Sequence, residues 1–104
     1  MIIQFNTDHN IQGTEARGEY FTELAAAELE RFSERITRLE IHLADENGKK
    51  EGHNDKRCIL EARLNGMQPI AVTNHADTIA MAVDGAIDKL KAALDTKLGR
   101  MNKH

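Results

Sequence analysis

The sequence predicts a single α+β domain over residues 1–104. Its expected order is β-α-β-β-β-α, a four-stranded sheet with two helices packed on one face. Three observations carry that expectation. The stretches ITRLEIHLAD and KRCILEARL alternate apolar and polar residues, as half-buried strands do. Two other stretches repeat apolar residues at helical spacing. A chain of 104 residues holds one core and is too short for two. Strands with one apolar face need cover, and two helices with one apolar stripe each supply it.

MIIQFNT opens the chain with β-branched and aromatic residues, and Ile3 and Phe5 alternate with Gln4 and Asn6, which gives a first strand. Thr14 then precedes EARGEYFTELAAAELERF. Threonine caps a helix, Glu15 suits its positive end, and Phe21, Leu24, Ala25, Leu29 and Phe32 form one stripe. Gly18 costs that helix roughly 1 kcal/mol relative to alanine, so a frayed first turn or a later start is expected. The period then changes. In ITRLEIHLAD, Leu39, Ile41 and Leu43 point inward while Arg38, Glu40 and His42 point outward. In KRCILEARL, Cys58, Leu60, Ala62 and Leu64 face in and Arg57, Ile59, Glu61 and Arg63 face out. Between them ENGKKEGHND, residues 46–55, is read as a hairpin with a mobile, solvated tip, where Glu46, Glu51 and Asp55 surround Lys49 and Lys50. Asn65-Gly66 and then Pro69 mark a tight connection into a further strand, PIAVTN.

The closing stretch HADTIAMAVDGAIDKLKAALDTKLGR, residues 75–100, is amphipathic. Ile79, Val83, Ile87, Leu90, Leu94 and Leu98 make its stripe, and Asp77 or Thr78 caps it. The shared core is expected to hold Leu39, Ile41, Leu43, Leu60, Leu64, Ile87, Leu90 and Leu94.

Composition sets the class. Apolar residues make up 40% and charged residues 30%, as in soluble globular proteins. No apolar run approaches the roughly 18 residues of a membrane span, and a secretory leader is not expected. Cys58 is the single cysteine, which excludes an intrachain disulfide and suits a reducing cytoplasm. Net charge is −3, which weighs against a generic nucleic-acid binder and gives no support to a DNA partner. The distribution says more. Residues 15–34 hold six glutamates against two arginines, whereas residues 89–104 hold five basic residues against one aspartate.

No constellation for catalysis emerges. The five histidines lack any pair at ligand spacing, so they read as surface residues, and neither a metal nor a cofactor is expected. Asp84 and Asp88 read as helix-solvating, Gly85 as a close helix–sheet contact, and Cys58 as a buried small hydrophobe. For Arg38, Arg57 and Arg63 on the open sheet face, cross-strand pairing with Glu40 and Glu61 and contact with RNA both stay open. Lys97 and Arg100 near the helix end complement its dipole, but Lys89 and Lys91 lie too early for that. Together Lys89, Lys91, Lys97 and Arg100 form the main concentrated positive surface on an acidic molecule.

The order of elements, FSERITRLEIHL leading out of the first helix and AVDGAIDKL at 82–90 resemble the hibernation-promoting factor and ribosome-associated inhibitor family of ribosomal subunit interface proteins. The resemblance covers essentially the whole chain, in its short form. It implies a double-stranded-RNA-binding-domain-like fold and docking on the small ribosomal subunit through ribosomal RNA, which idles ribosomes under stress. Two departures stand out. The helix-one turn that carries lysines in the family reads LAAAELE here, and an arginine common after DKL is replaced by Ala92, beside Lys91. The candidate RNA contacts are Lys89, Lys91, Lys97, Arg100, Arg57, Arg63 and Arg38. A protein-interaction module of the same fold that has lost RNA binding is the alternative. Nothing indicates a homodimer, although an open sheet face or strand edge leaves room for one.

Overall fold

The computed structural model describes residues 1–8, 10–11, 14–46 and 54–101, with side chains through residue 99. The elements are β1 (Ile2–Thr7), α1 (Thr14–Glu28), a 3-10 turn (Glu30–Phe32), β2 (Ile36–Asp45), β3 (Lys56–Leu64), β4 (Ile70–Ala76) and α2 (Ile79–Met101). The sheet runs β1-β2-β3-β4. β1 pairs parallel to β2, a geometry that needs a crossover, and α1 supplies it. The remaining pairs are antiparallel. α1 packs over β1 while α2 packs over β3 and β4, so each helix covers one half of the same face. The expected fold and element order are what the chain adopts.

Registry explains the core. Leu39 lies opposite Ala62, Ile41 opposite Leu60 and Leu43 opposite Cys58, so the inward sets of β2 and β3 coincide. All eight expected core residues are buried in one cluster. Ile36 joins them at 1% exposure, which strict alternation from Leu39 does not foresee. A register shift between Ile36 and Arg38 inserts Thr37 as a bulge. The extra residue turns Ile36 inward and leaves Thr37 outside, where its hydroxyl donates to the Arg63 carbonyl at 3.1 Å.

Two local expectations are corrected, and one open choice, the cap of α2, is decided. Helix α1 stops at Glu28, and the last stripe residues, Leu29 and Phe32, are buried from the turn that follows. The Phe32 and Arg35 amides take 3-10 bonds to Leu29 and Phe32 there. Gly18 does not delay the helix, which starts at Thr14. A Cβ at Gly18 would stand 3.1 Å from the Phe5 ring, so the glycine lets α1 settle onto β1. At α2, Thr78 is the cap, its Oγ1 accepting the Met81 N–H at 3.1 Å, whereas Asp77 accepts the Asn54 N–H at 2.7 Å. Lys49 and Lys50, with most of the expected hairpin loop, lie outside the described residues. The loop's base is closed by the Glu46 amide donating to the Asp55 carbonyl.

Asn74 is the polar residue on the inner face of β4, directly opposite buried Cys58. Its amide reaches the Met81 and Ala82 carbonyls of α2 at 3.4 and 3.2 Å. Room for it exists because residue 85 is glycine; a Cβ there would lie 2.1 Å from Asn74 Nδ2 and 2.7 Å from its Cγ. Gly85→Ala is therefore expected to destabilise by about 1–2 kcal/mol, overpacking outweighing a helix-propensity gain of about 1 kcal/mol. In an Asn74→Ala background only the propensity gain remains, so the sign should reverse. Urea unfolding of the four variants checks this.

Candidate nucleic-acid interface

Helix α2 carries four of the seven cations that the sequence singles out, and their partners divide them. The Lys89 ammonium donates to the Thr73 carbonyl of edge strand β4 at 2.8 Å. Lys97 donates to the Gln68 carbonyl in the β3–β4 connection at 2.9 Å. Eight residues apart on α2, both reach toward the same flank. Lys91 points elsewhere, to Glu28 at the end of α1, 2.7 Å away. Arg100 belongs to α2, but its side chain lies outside the described residues.

The distinction is electrostatic. A carbonyl is a dipole and leaves the lysine charge in place, whereas a carboxylate cancels it at a distance of a few ångströms. Lys89 and Lys97 thus keep their positive field. Lys91 does not. Lys89 also covers a backbone acceptor on the free edge of β4, as lysines at sheet edges do.

The open sheet face is compensated. Arg38 and Arg63 face each other across β2 and β3, and Glu40 faces Glu61 in the next row. Like charges lie directly opposite, but each row neutralises the other. Arg38 reaches Glu40 at 3.5 Å, and Arg63 reaches Glu40 and Glu61 at 3.8 Å each. His42 lies 3.6 Å from Glu40. Arg57 departs from the expected pairing. Its partner is Glu46, at 3.6 Å, which also holds His75 at 2.9 Å. Cross-strand pairing with Glu40 therefore accounts for Arg63, whereas Arg38 pairs with Glu40 along its own strand and Arg57 pairs with Glu46 at the sheet end.

One bridge escaped the sequence reading. Arg31 makes two bonds to Asp95, at 2.8 and 2.9 Å, and lies over the Phe32 ring. The bond from Arg31 holds the Asp95 carboxyl below the usual carboxylate range. With Lys91–Glu28 it ties the acidic end of α1 to α2 across more than sixty residues of sequence. No local pattern announces a pair so distant.

Cys58 is fully buried, and burial pushes its thiol up to about 12. A thiol reagent at pH 8 is expected to leave it unmodified in the folded protein and to react fully in denaturant. Because the unfolded thiol ionises first, stability should decline as pH rises from about 9 toward 12. Among the described residues no group of three or more His, Cys, Asp or Glu could hold a metal. No helix among them is long and apolar enough to cross a membrane.

A β-α-β-β-β-α order, with a four-stranded sheet and both helices on one face, is a build found among the ribosome-associated modulation proteins. The chain belongs to the sigma 54 modulation protein / S30EA ribosomal protein family, whose profile matches residues 5–102. Among solved structures it is similar to the Protein Y N-terminal domain of Thermus thermophilus, at 22% identity and a TM-score of 0.72, over 92% of this chain and 98% of that one. It is also similar to a ribosomal subunit interface protein from Coxiella burnetii, at 20% identity and a TM-score of 0.72, over 95% of this chain and 99% of that one. At these identities the two structures speak for the fold. No curated protein sequence matches the chain.

Proposed function

We propose that this protein is a non-catalytic translation regulator of the cytoplasm, which binds the small ribosomal subunit through ribosomal RNA and idles ribosomes under stress. Family membership supports the ribosome as partner. The observation that carries the RNA contact is that Lys89 and Lys97 donate to neutral carbonyls on one flank and keep their charge. Mechanism is then steric. The lysines neutralise RNA phosphates and release counterions, and the folded body occupies space that other ribosomal ligands need. Arg38, Arg57 and Arg63 contribute only where RNA competes with their carboxylates.

A second reading has an observation of its own. Glu15, Glu19 and Glu23 are exposed at four-residue spacing on α1, an acidic ridge that repels RNA. It favours a protein-interaction module that has lost RNA binding. Co-sedimentation with ribosomes at two salt concentrations separates them. An RNA contact weakens steeply as salt rises; the interaction module shows no ribosome pelleting at either salt.

A further inference from the structure

Between the first turns of α1 and α2 lies an open cleft of about 520 Å3 that the lysine flank does not use. Its floor is Phe21, and Ala16, Ile79 and Ala80 form apolar walls. Tyr20 stands at its mouth. The chain has three phenylalanines, one tyrosine and no tryptophan. Phe21 and Phe32 are buried, Phe5 is half-buried, and Tyr20 is 61% exposed. The Tyr20 ring rests edge-to-face on Phe21, with centroids 5.1 Å apart, so it is oriented even though it faces water.

Charge around this cleft is sorted. Arg17, one turn before Tyr20, lines the cleft and has no carboxylate partner among the described residues. The α1 glutamates Glu15, Glu19 and Glu23 line a groove on the β1 side with Phe5, although Glu15 and Glu19 also border Ala16 at the cleft's rim. Lys56 also lines the cleft, but Asp55 at 2.8 Å and Asp45 at 3.5 Å hold its charge. Asp77 does too, with one oxygen engaged by the Asn54 amide. The first turn of α2 carries no acidic side chain.

An exposed, oriented aromatic ring, an apolar floor and one unpaired guanidinium match the parts of a nucleotide. We infer that the cleft takes one unstacked nucleotide of RNA, its base against Tyr20 and its phosphate on Arg17. The inference rests on the RNA reading above and extends it to a second contact, which selects unpaired nucleotides because bases inside a duplex are already stacked. The volume lies within the roughly 300–1,000 Å3 of small-ligand sites.

Because Tyr20 is the sole tyrosine, 3-fluorotyrosine labelling of the full chain yields a single fluorine resonance that reports this cleft alone. Titration with hexauridylate is expected to move that line saturably, and a twelve-pair RNA duplex to leave it in place. Arg17→Gln should weaken hexauridylate binding roughly tenfold without changing the thermal melt, and Tyr20→Leu should weaken ribosome association roughly tenfold through one lost stack. A line that moves with UMP but not with hexauridylate assigns the cleft to free nucleotides. A line unmoved by both, or moved equally by the duplex, overturns the inference. Should that happen while ribosome association still depends on Lys89 and Lys97, the cleft alone fails and the RNA reading stands.

Discussion

Replacing Lys89 and Lys97 together with glutamine is expected to weaken ribosome association about tenfold or more and to flatten its salt dependence. Each phosphate contact contributes about 0.7–0.9 to the slope of log affinity against log salt, so losing two should lower the slope by roughly 1.4–1.8. Lys91→Gln serves as the internal control. Glu28 already neutralises Lys91 at 2.7 Å, so this variant should pellet with ribosomes within about twofold of the parent. Arg100 is left in place. The fold should survive, since glutamine gives up only two surface bonds to the Thr73 and Gln68 carbonyls. If Lys91→Gln weakens binding as much as the double variant, charge compensation is the wrong criterion. If the double variant pellets as the parent does, Lys89 and Lys97 are only a solvated flank and the RNA contact assigned to them fails.

Leu60→Ala is expected to destabilise the domain by about 2–5 kcal/mol. Leu60 sits at the middle of β3, between Ile41 of β2 and Val72 of β4, with no exposure. Truncation removes apolar contacts at the centre of the sheet's covered face, and paired strands on both sides limit how far the cavity can collapse. Domains of this size total about 5–15 kcal/mol, so the loss is a large share. At about 4–8 °C per kcal/mol, the melting midpoint should fall by at least 8 °C or so. Ile59→Ala, one residue earlier on the opposite face and half-buried, should cost well under half as much. Equal costs for the two would mean that the inner and outer faces of β3 are misassigned.

The contrast between those residues is legible in the sequence itself. Alternation in residues 38–43 and 57–64 and the stripe from Ile79 to Leu98 are local patterns, and each one names its buried face. Once those faces are known, a four-stranded sheet with both helices on one side is the arrangement that covers them. Where the reading slipped, a contact between distant segments had intervened. The bulge at Thr37, whose hydroxyl donates to the Arg63 carbonyl of β3, turns Ile36 inward against the count. Gly18 costs helix propensity in isolation, yet it is the place where α1 meets Phe5.

The same division runs through the candidate interface. From the sequence alone came the fold, the core, the family and the seven cations, because periodicity, composition and motif are properties of neighbouring residues. Which cations keep their charge was decided by tertiary structure. Coulomb attraction falls with distance in space, and the acceptors of Lys89, Lys91 and Lys97 lie 16, 63 and 29 residues away along the chain. Folding brings Glu28 to Lys91 and only carbonyls to Lys89 and Lys97, so residues of one type on one helix end with different fields.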